Sequence, residues 1–355
     1  MNVRTAANGI DQNVLVWGPQ DGIPLLLVHG NCSSAAFWEP FVRGQLGGDD
    51  GPWRVVAPDL RGYGDSQTVP VDATRGLRDF ADDVAALLDV EGLFAPGSTP
   101  LVAAHSMGCG VVMQLAVDHP GRVAGLLLES PLSPYGFGGT RDLDGTPTTE
   151  DFAGTGAGAV NPDFVARLAA KDRSGDEATT PRAVMLSAYV ADPSAFGADE
   201  EAMLDTVLST AVGEDNYPGD GAASPNWPTT GPGTRGVTNA MSPRWFRVAD
   251  ELVRLDPKPP VEWVRGTADV IVSDTSLFDL AYLGQLGAVP GWPGEQDCPP
   301  QPMVGQTRAV LERYAAAGGS FTETALDGCG HSPHIERPAD VLAALERLAG
   351  AAHLR

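Results

Sequence analysis

Thr99-Pro-Leu-Val-Ala-Ala-His-Ser-Met-Gly-Cys-Gly-Val-Val-Met-Gln-Leu-Ala116 is the stretch on which the reading of this 355-residue chain turns. Residues 101–104 form a short apolar run of the kind found in a strand buried on both faces, and residues 110–117 read as a closely packed helix. Ser106 lies between them, with Ala104 two residues before it and Gly108 two residues after. Small side chains are needed there, because a sharp strand-to-helix turn brings the two elements too close for anything larger. Such a turn sets a serine hydroxyl at the tip of a sheet and on the N-terminus of a helix. Unpaired main-chain N–H groups and the positive end of the helix dipole there favour a developing negative charge.

On either side of this stretch the chain alternates strand and helix. The alternating stretch 12–17, the apolar runs 25–28 and 123–128, and the segments Trp53–Pro58, Val261–Gly266 and Phe321–Leu326 read as strands. Between them, Phe37, Trp38, Phe41 and Val42, and then Leu77, Phe80, Val84, Leu87 and Leu88, recur at helical spacing. Helices are also expected at 245–255, 307–317 and 340–348. This rhythm implies an α/β fold, a mostly parallel eight-stranded sheet with helices on both faces. From residue 131 to about 241 the rhythm stops, and the chain becomes rich in Gly, Pro, Thr and Asp with short helical pieces at 163–170, 183–190 and 200–211. Loops of that length without a function are uncommon, so the segment reads as a cap over the C-terminal edge of the sheet. The expected division is a core of 1–130 and 246–355 with a cap or lid insert of 131–245. A second, shorter insert runs from 273 to about 302.

Composition narrows the function classes. The chain carries 23 Lys and Arg against 46 Asp and Glu, a formal net charge of −23, which makes nucleic acid and anionic lipid poor partners. No apolar run reaches the roughly 18–20 residues that span a bilayer, and the N-terminus lacks the apolar core of a signal peptide. A cytoplasmic protein without membrane attachment is the expectation. The four cysteines, Cys32, Cys109, Cys298 and Cys329, have neither CxxC pairing nor zinc spacing, so they read as small fillers. No glycine-rich phosphate loop or nucleotide fingerprint is present, and neither a cofactor nor a metal is expected.

Four motifs, taken in order, resemble the α/β-hydrolase family. They are His29-Gly-Asn after the third strand, Asp59-Leu-Arg-Gly-Tyr-Gly-Asp-Ser66, the nucleophile elbow Ala104-His-Ser-Met-Gly108, and Gly330-His-Ser-Pro-His-Ile-Glu-Arg-Pro338. Ala104 stands where the family's elbow usually has glycine, the mildest of replacements. The resemblance covers nearly all of the chain outside the two inserts. It implies Ser106 as nucleophile and His331 as the base that takes its proton, with His334 as the nearby rival. For the carboxylate that orients the base, Asp269 matches the commoner family position, after the seventh strand. Glu129 matches the position, after the sixth, that some dehalogenases and mycotoxin lactonases use. Asp269 is preferred, and Asp274 lies further along a polar loop. The oxyanion hole is expected from the main-chain N–H groups of Met107 and Asn31, with Cys32 as the alternative to Asn31 and the Asn31 side chain as a third donor. His29 and His105 are expected to orient loops, while nothing marks His119 or His353. The 59–66 segment is expected to be structural, with Arg61 and Asp65 paired across it.

The resemblance thus implies acyl transfer through a covalent acyl-enzyme. Dehalogenases and epoxide hydrolases of the family use an aspartate nucleophile, which Ser106 argues against. The expected substrate is a fairly hydrophobic small-molecule carboxylic ester or lactone. Tyr135, Phe137, Tyr189, Trp227, Trp245 and Phe246 are candidates to line its pocket, although such aromatics also serve to hold a cap to its base. Other readings are a carbon–carbon bond hydrolase or amidase with the same triad, and a non-catalytic binding protein on the same fold. Oligomeric state has no signature in the sequence.

Overall fold

The computed structural model describes residues 1–354. Eight strands form one sheet: β1 (Asn2–Ala7), β2 (Ile10–Trp17), β3 (Ile23–Val28), β4 (Trp53–Pro58), β5 (Leu101–His105), β6 (Gly125–Glu129), β7 (Val261–Gly266) and β8 (Phe321–Leu326). Their spatial order is β1-β2-β4-β3-β5-β6-β7-β8. The β1–β2 and β2–β4 pairs are antiparallel and all others parallel. β1 is a strand that no apolar run announces. It is an edge strand with alternating exposed positions, returned to β2 by Asn8-Gly9, both at positive φ (53° and 74°), as a tight hairpin turn requires.

The continuous apolar runs are explained by alternation. Leu26, Val28, Val56, Val102 and Ala104 face one side, with α2 (Arg78–Leu87) and α3 (Met107–Asp118) packed on them. Leu25, Leu27, Val55, Leu101 and Ala103 face the other, beneath α1 (Glu39–Gln45) and the C-terminal helix Pro338–Ala351. Successive side chains of a strand point to opposite faces, so a strand covered on both must be apolar throughout. The expected helix 245–255 is shorter, Ala249–Arg254, because residues 245–248 turn over Ser242 and the Trp245 indole donates to Gly233 O at 2.9 Å.

The segment between β6 and β7 contains helices Pro162–Ala169 and Glu200–Leu208, a helical stretch over residues 181–189 and two small ribbons. The first helix is capped by Asn161, whose side chain accepts from the N–H groups of Asp163 and Phe164. These pieces share a third apolar cluster, including Phe164, Leu168, Met185, Tyr189 and Leu204, which also takes in Cys32 and Phe37 from the loop after β3. The stretch between β7 and β8 packs against the first insert: the Trp227 indole donates to Pro290 O at 2.9 Å.

Candidate active site

The elbow begins with backbone geometry. Ser106 sits at φ 56° and ψ −119°, which side chains of L-residues rarely tolerate. It is held there by three main-chain hydrogen bonds. Its N–H donates to Glu129 O (2.9 Å), and its carbonyl accepts from Cys109 N (3.0 Å) and Leu132 N (3.1 Å). Gly108 explains the small-residue requirement, since a Cβ there would lie 2.5 Å from His29 O.

His331 follows β8 on the loop at 329–332. Its Nδ1 lies 2.8 Å from Asp269 Oδ2, and both side chains are almost fully buried. The other Asp269 oxygen accepts the main-chain N–H groups of Ile271 (2.8 Å) and Val272 (3.0 Å), which fixes the carboxylate plane. A carboxylate can only accept here, so the proton shared between the two is borne by Nδ1. Glu129, the other candidate acid, faces elsewhere. Its Oε1 accepts from His334 Nδ1 (2.6 Å) and from His334 N–H (3.0 Å). The two histidines therefore have separate carboxylates, and His334 packs between Phe37 and Trp38.

The remaining histidines of the site are structural donors and acceptors. His105 Nε2 donates to the His331 carbonyl at 2.9 Å, and burial beside His331 and His334 holds its pKa well below the usual 6.5. His29 accepts the Leu60 N–H at Nε2 (3.0 Å) and donates from Nδ1 to Gly30 O (2.7 Å). Burial lowers its pKa too, against the opposing pull of Asp59.

The 59–66 segment corrects one expectation. Arg61 does not pair with Asp65; its guanidinium grips Asp83 of α2 at 2.6 Å and reaches Asp79 at 3.3 Å. The Asp65 N–H instead donates to Asp59 Oδ2 (2.9 Å), whose Oδ1 accepts from Ala35 N (2.8 Å). The segment also delivers Tyr63, whose hydroxyl donates to Asn31 Oδ1 at 2.6 Å. Asn31 Oδ1 accepts the Cys32 N–H as well, at 2.9 Å. Tyr189, from the insert, donates its hydroxyl to Cys32 O at 2.9 Å. The motif gave no hint of the Tyr63 contact, because its partner is 32 residues away.

Cys32, Cys109, Cys298 and Cys329 are all free thiols. Burial pushes Cys32 up to about 12 and Cys298 up to about 11, so neither is a thiolate near neutral pH.

Ser106, His331, Asn31 and Met107 line one cavity of about 350 Å³. Its walls include Leu132, Phe137, Phe164, Met241, Ile271 and Leu283, and no Lys, Arg, Asp or Glu lines it. Of the six aromatics proposed from sequence, Phe137 and Tyr189 reach this cavity. Phe246 is core, the Tyr135 hydroxyl meets Arg313, and Trp227 and Trp245 spend their indole N–H groups on main-chain carbonyls. Phe164, Tyr217 and Phe278 line it instead.

A serine on a strand–helix elbow, a carboxylate-bound histidine on the loop after the last strand, and this sheet order define an α/β hydrolase. The model of the alpha/beta hydrolase family matches residues 25–345, and the chain belongs to that family. Curated relatives align over part of their length. RutD of Variovorax paradoxus (strain S110), which bears the provisional name of a carbamate hydrolase, is 40% identical over 115 residues, 32% of this chain and 40% of its own. A non-heme chloroperoxidase of Streptomyces lividans is 33% identical over 151 residues, 41% of this chain and 50% of its own. The chain thus spans half or less of these relatives' length. Among solved structures, the esterase RhEst1 from Rhodococcus sp. ECU1013 superposes with a TM-score of 0.60 at 20% identity, covering 98% of both chains. A 2-hydroxy-6-oxo-6-phenylhexa-2,4-dienoate hydrolase from Rhodococcus sp. strain RHA1 gives 0.58 at 17% identity, again over 98% of both. At these identities the likeness is one of fold. No helix among the described residues is long and apolar enough to cross a membrane.

Proposed function

We propose that the chain is a serine hydrolase acting on an uncharged, fairly hydrophobic carboxylic ester or lactone. The observation that carries this reading is the Asp269–His331 couple, 2.8 Å apart, whose histidine lines the same cavity as a serine at φ 56°. In the first half-reaction Ser106 Oγ adds to the scissile carbonyl carbon while its proton passes to His331 Nε2. The carbonyl π pair moves to oxygen, and the oxyanion is met by the N–H groups of Asn31 and Met107. Collapse expels the alcohol oxygen, which takes the proton from His331 and leaves an acyl-enzyme. Water then repeats the sequence, with His331 again as base, to release the acid. Asp269 holds the imidazole in the tautomer that this needs and stabilises its positive form.

The cavity supports an uncharged substrate. A buried carboxylate or ammonium there would lose its hydration without gaining a counter-charge, a cost of several kcal/mol. This separates the reading from a carbon–carbon bond hydrolase of the dienoate type: the dienoate for which that Rhodococcus neighbour is named is an anion, and no Arg or Lys lines the cavity here. An amidase would share the triad, and a panel of matched esters and amides ranks the two.

Labelling with a fluorophosphonate followed by peptide mapping tests the reading. Modification of the wild type at Ser106, absent in Ser106→Ala, is the expected result. A folded wild type that is neither labelled nor active on p-nitrophenyl acetate would leave the non-catalytic binding reading instead.

A further inference from the structure

The loop that faces Ser106 is held by a phenol to which the chemistry above gives no part. Asn31 Oδ1 receives the Tyr63 hydroxyl at 2.6 Å and the Cys32 N–H at 2.9 Å. A main-chain amide can only donate, so the Asn31 atom facing it is the carbonyl oxygen. The phenol beside that oxygen must donate too. Turning the carboxamide over would set its NH2 against the Cys32 N–H, which can only donate, so the side chain has one orientation. Its Nδ2 donates to no protein acceptor among the described residues, and it is not among the buried polar atoms left without a partner. Asn31 itself lines the cavity with Ser106, Met107 and His331. The approach to the nucleophile is close, since a Cβ on neighbouring Gly30 would lie 3.0 Å from Ser106 Cβ.

We infer that Asn31 is a catalytic residue through its side chain, Nδ2–H donating to the oxyanion beside the main-chain donors, and that Tyr63 is the positioning residue that fixes the amide for it. This rests on the acyl-enzyme reading. Tyr63 suits the task. It is 1% exposed, its ring meets His29 edge-on at 5.2 Å, and burial holds its pKa well above 10, so its proton stays in place to be donated. The donor is also of the right kind. A neutral amide in a cavity without charged side chains stabilises a charge that exists only in the transition state, and leaves an uncharged ester little better bound than before.

The test compares wild type, Asn31→Ala, Tyr63→Phe and the double variant on p-nitrophenyl butyrate, and measures inhibition by an alkyl trifluoromethyl ketone, which forms an oxyanion on serine. Asn31→Ala is expected to lower kcat about 10–100-fold with KM within about threefold, and to weaken the ketone by the same factor. Tyr63→Phe should cost about 3–10-fold, and the double variant should be no worse than Asn31→Ala, because Tyr63 acts through Asn31. Unchanged kcat in Asn31→Ala, or single losses that multiply in the double variant, would overturn the inference. If Asn31→Ala fails to fold, Tyr63→Phe decides alone: equal losses in kcat and ketone affinity support the role, and unequal ones remove it. Fluorophosphonate labelling of the same wild-type sample keeps the two readings apart. A labelled wild type with an indifferent Asn31 removes this inference only, whereas one that is neither labelled nor active on p-nitrophenyl acetate removes both.

Discussion

Glu129 and His334 form a buried carboxylate–imidazole couple at 2.6 Å, with both side chains at 0% exposure, three residues along the chain from the histidine that Asp269 holds. The pair fastens the histidine loop to the end of β6. His105 fastens the same loop to β5 through the His331 carbonyl.

Removing one partner of a buried pair leaves the other uncompensated. Glu129→Ala is therefore expected to lower stability by about 3–5 kcal/mol in urea unfolding. Glu129→Gln keeps an acceptor for the His334 ring and N–H and should cost less, with kcat within about tenfold of wild type. A loss of kcat by Glu129→Gln as large as that caused by Asp269→Asn would make Glu129 the orienting acid.

Asp269→Asn has the opposite profile. The amide can present its NH2 to His331 Nδ1, which would move the ring proton to Nε2 and abolish its basicity toward Ser106. The expected loss is about 10⁴-fold in kcat, with little change in stability. Activity measurements on a variant whose thermal unfolding matches wild type check it.

Acid should destabilise the fold through its buried histidines. His29 and His105 are held below their ordinary value of 6.5, so the unfolded chain takes up their protons first as pH falls through that value. Stability is then full above about pH 7 and declines below 6.5 until the folded-state values are reached, by up to about 1.4 kcal/mol per pH unit for each histidine. His105→Gln, which can still donate to the His331 carbonyl, should flatten the slope by up to one proton between pH 6.5 and 5. Equal slopes in wild type and variant would show that His105 is not kept neutral by the fold.

Substrate charge should matter more than substrate length. Mono-p-nitrophenyl succinate carries a carboxylate where p-nitrophenyl butyrate is apolar, and its kcat/KM is expected to be about 100-fold lower. Parity between the two esters would mean that a cation reaches the acyl group from outside the cavity walls.

Much of the fold was legible because a strand covered on both faces is largely apolar, as the runs in β3 and β5 and residues 126–128 of β6 are. β1 was not, since an edge strand needs only alternate burial and Asn2–Ala7 carries little apolar surface. Ser106 and His331 could be located by order and glycine punctuation. The acid could be narrowed only to a preference for Asp269 over Glu129, because β6 and β7 are neighbours with Val264 paired to Glu129, and both strands end beside the histidine loop. Only geometry separates a carboxylate that meets His331 from one that meets His334. Arg61 shows the same limit: Asp65 is near in sequence, but Asp83 lies on the face of α2 that the loop covers. The aromatics misled because tryptophan can spend its indole N–H on holding two inserts together, as Trp227 does.

The apolar cluster that joins the insert to Cys32 and Phe37 bears on any attempt to shorten the chain. Excising residues 131–245 would strip Phe37 of its cover and take away Tyr189, whose hydroxyl holds the Cys32 carbonyl. The sheet and its covering helices would remain, but the turn opposite Ser106 would lose the insert's share of its anchoring. In this chain, the segment that shapes the cavity and the loop that faces Ser106 are packed into one apolar unit.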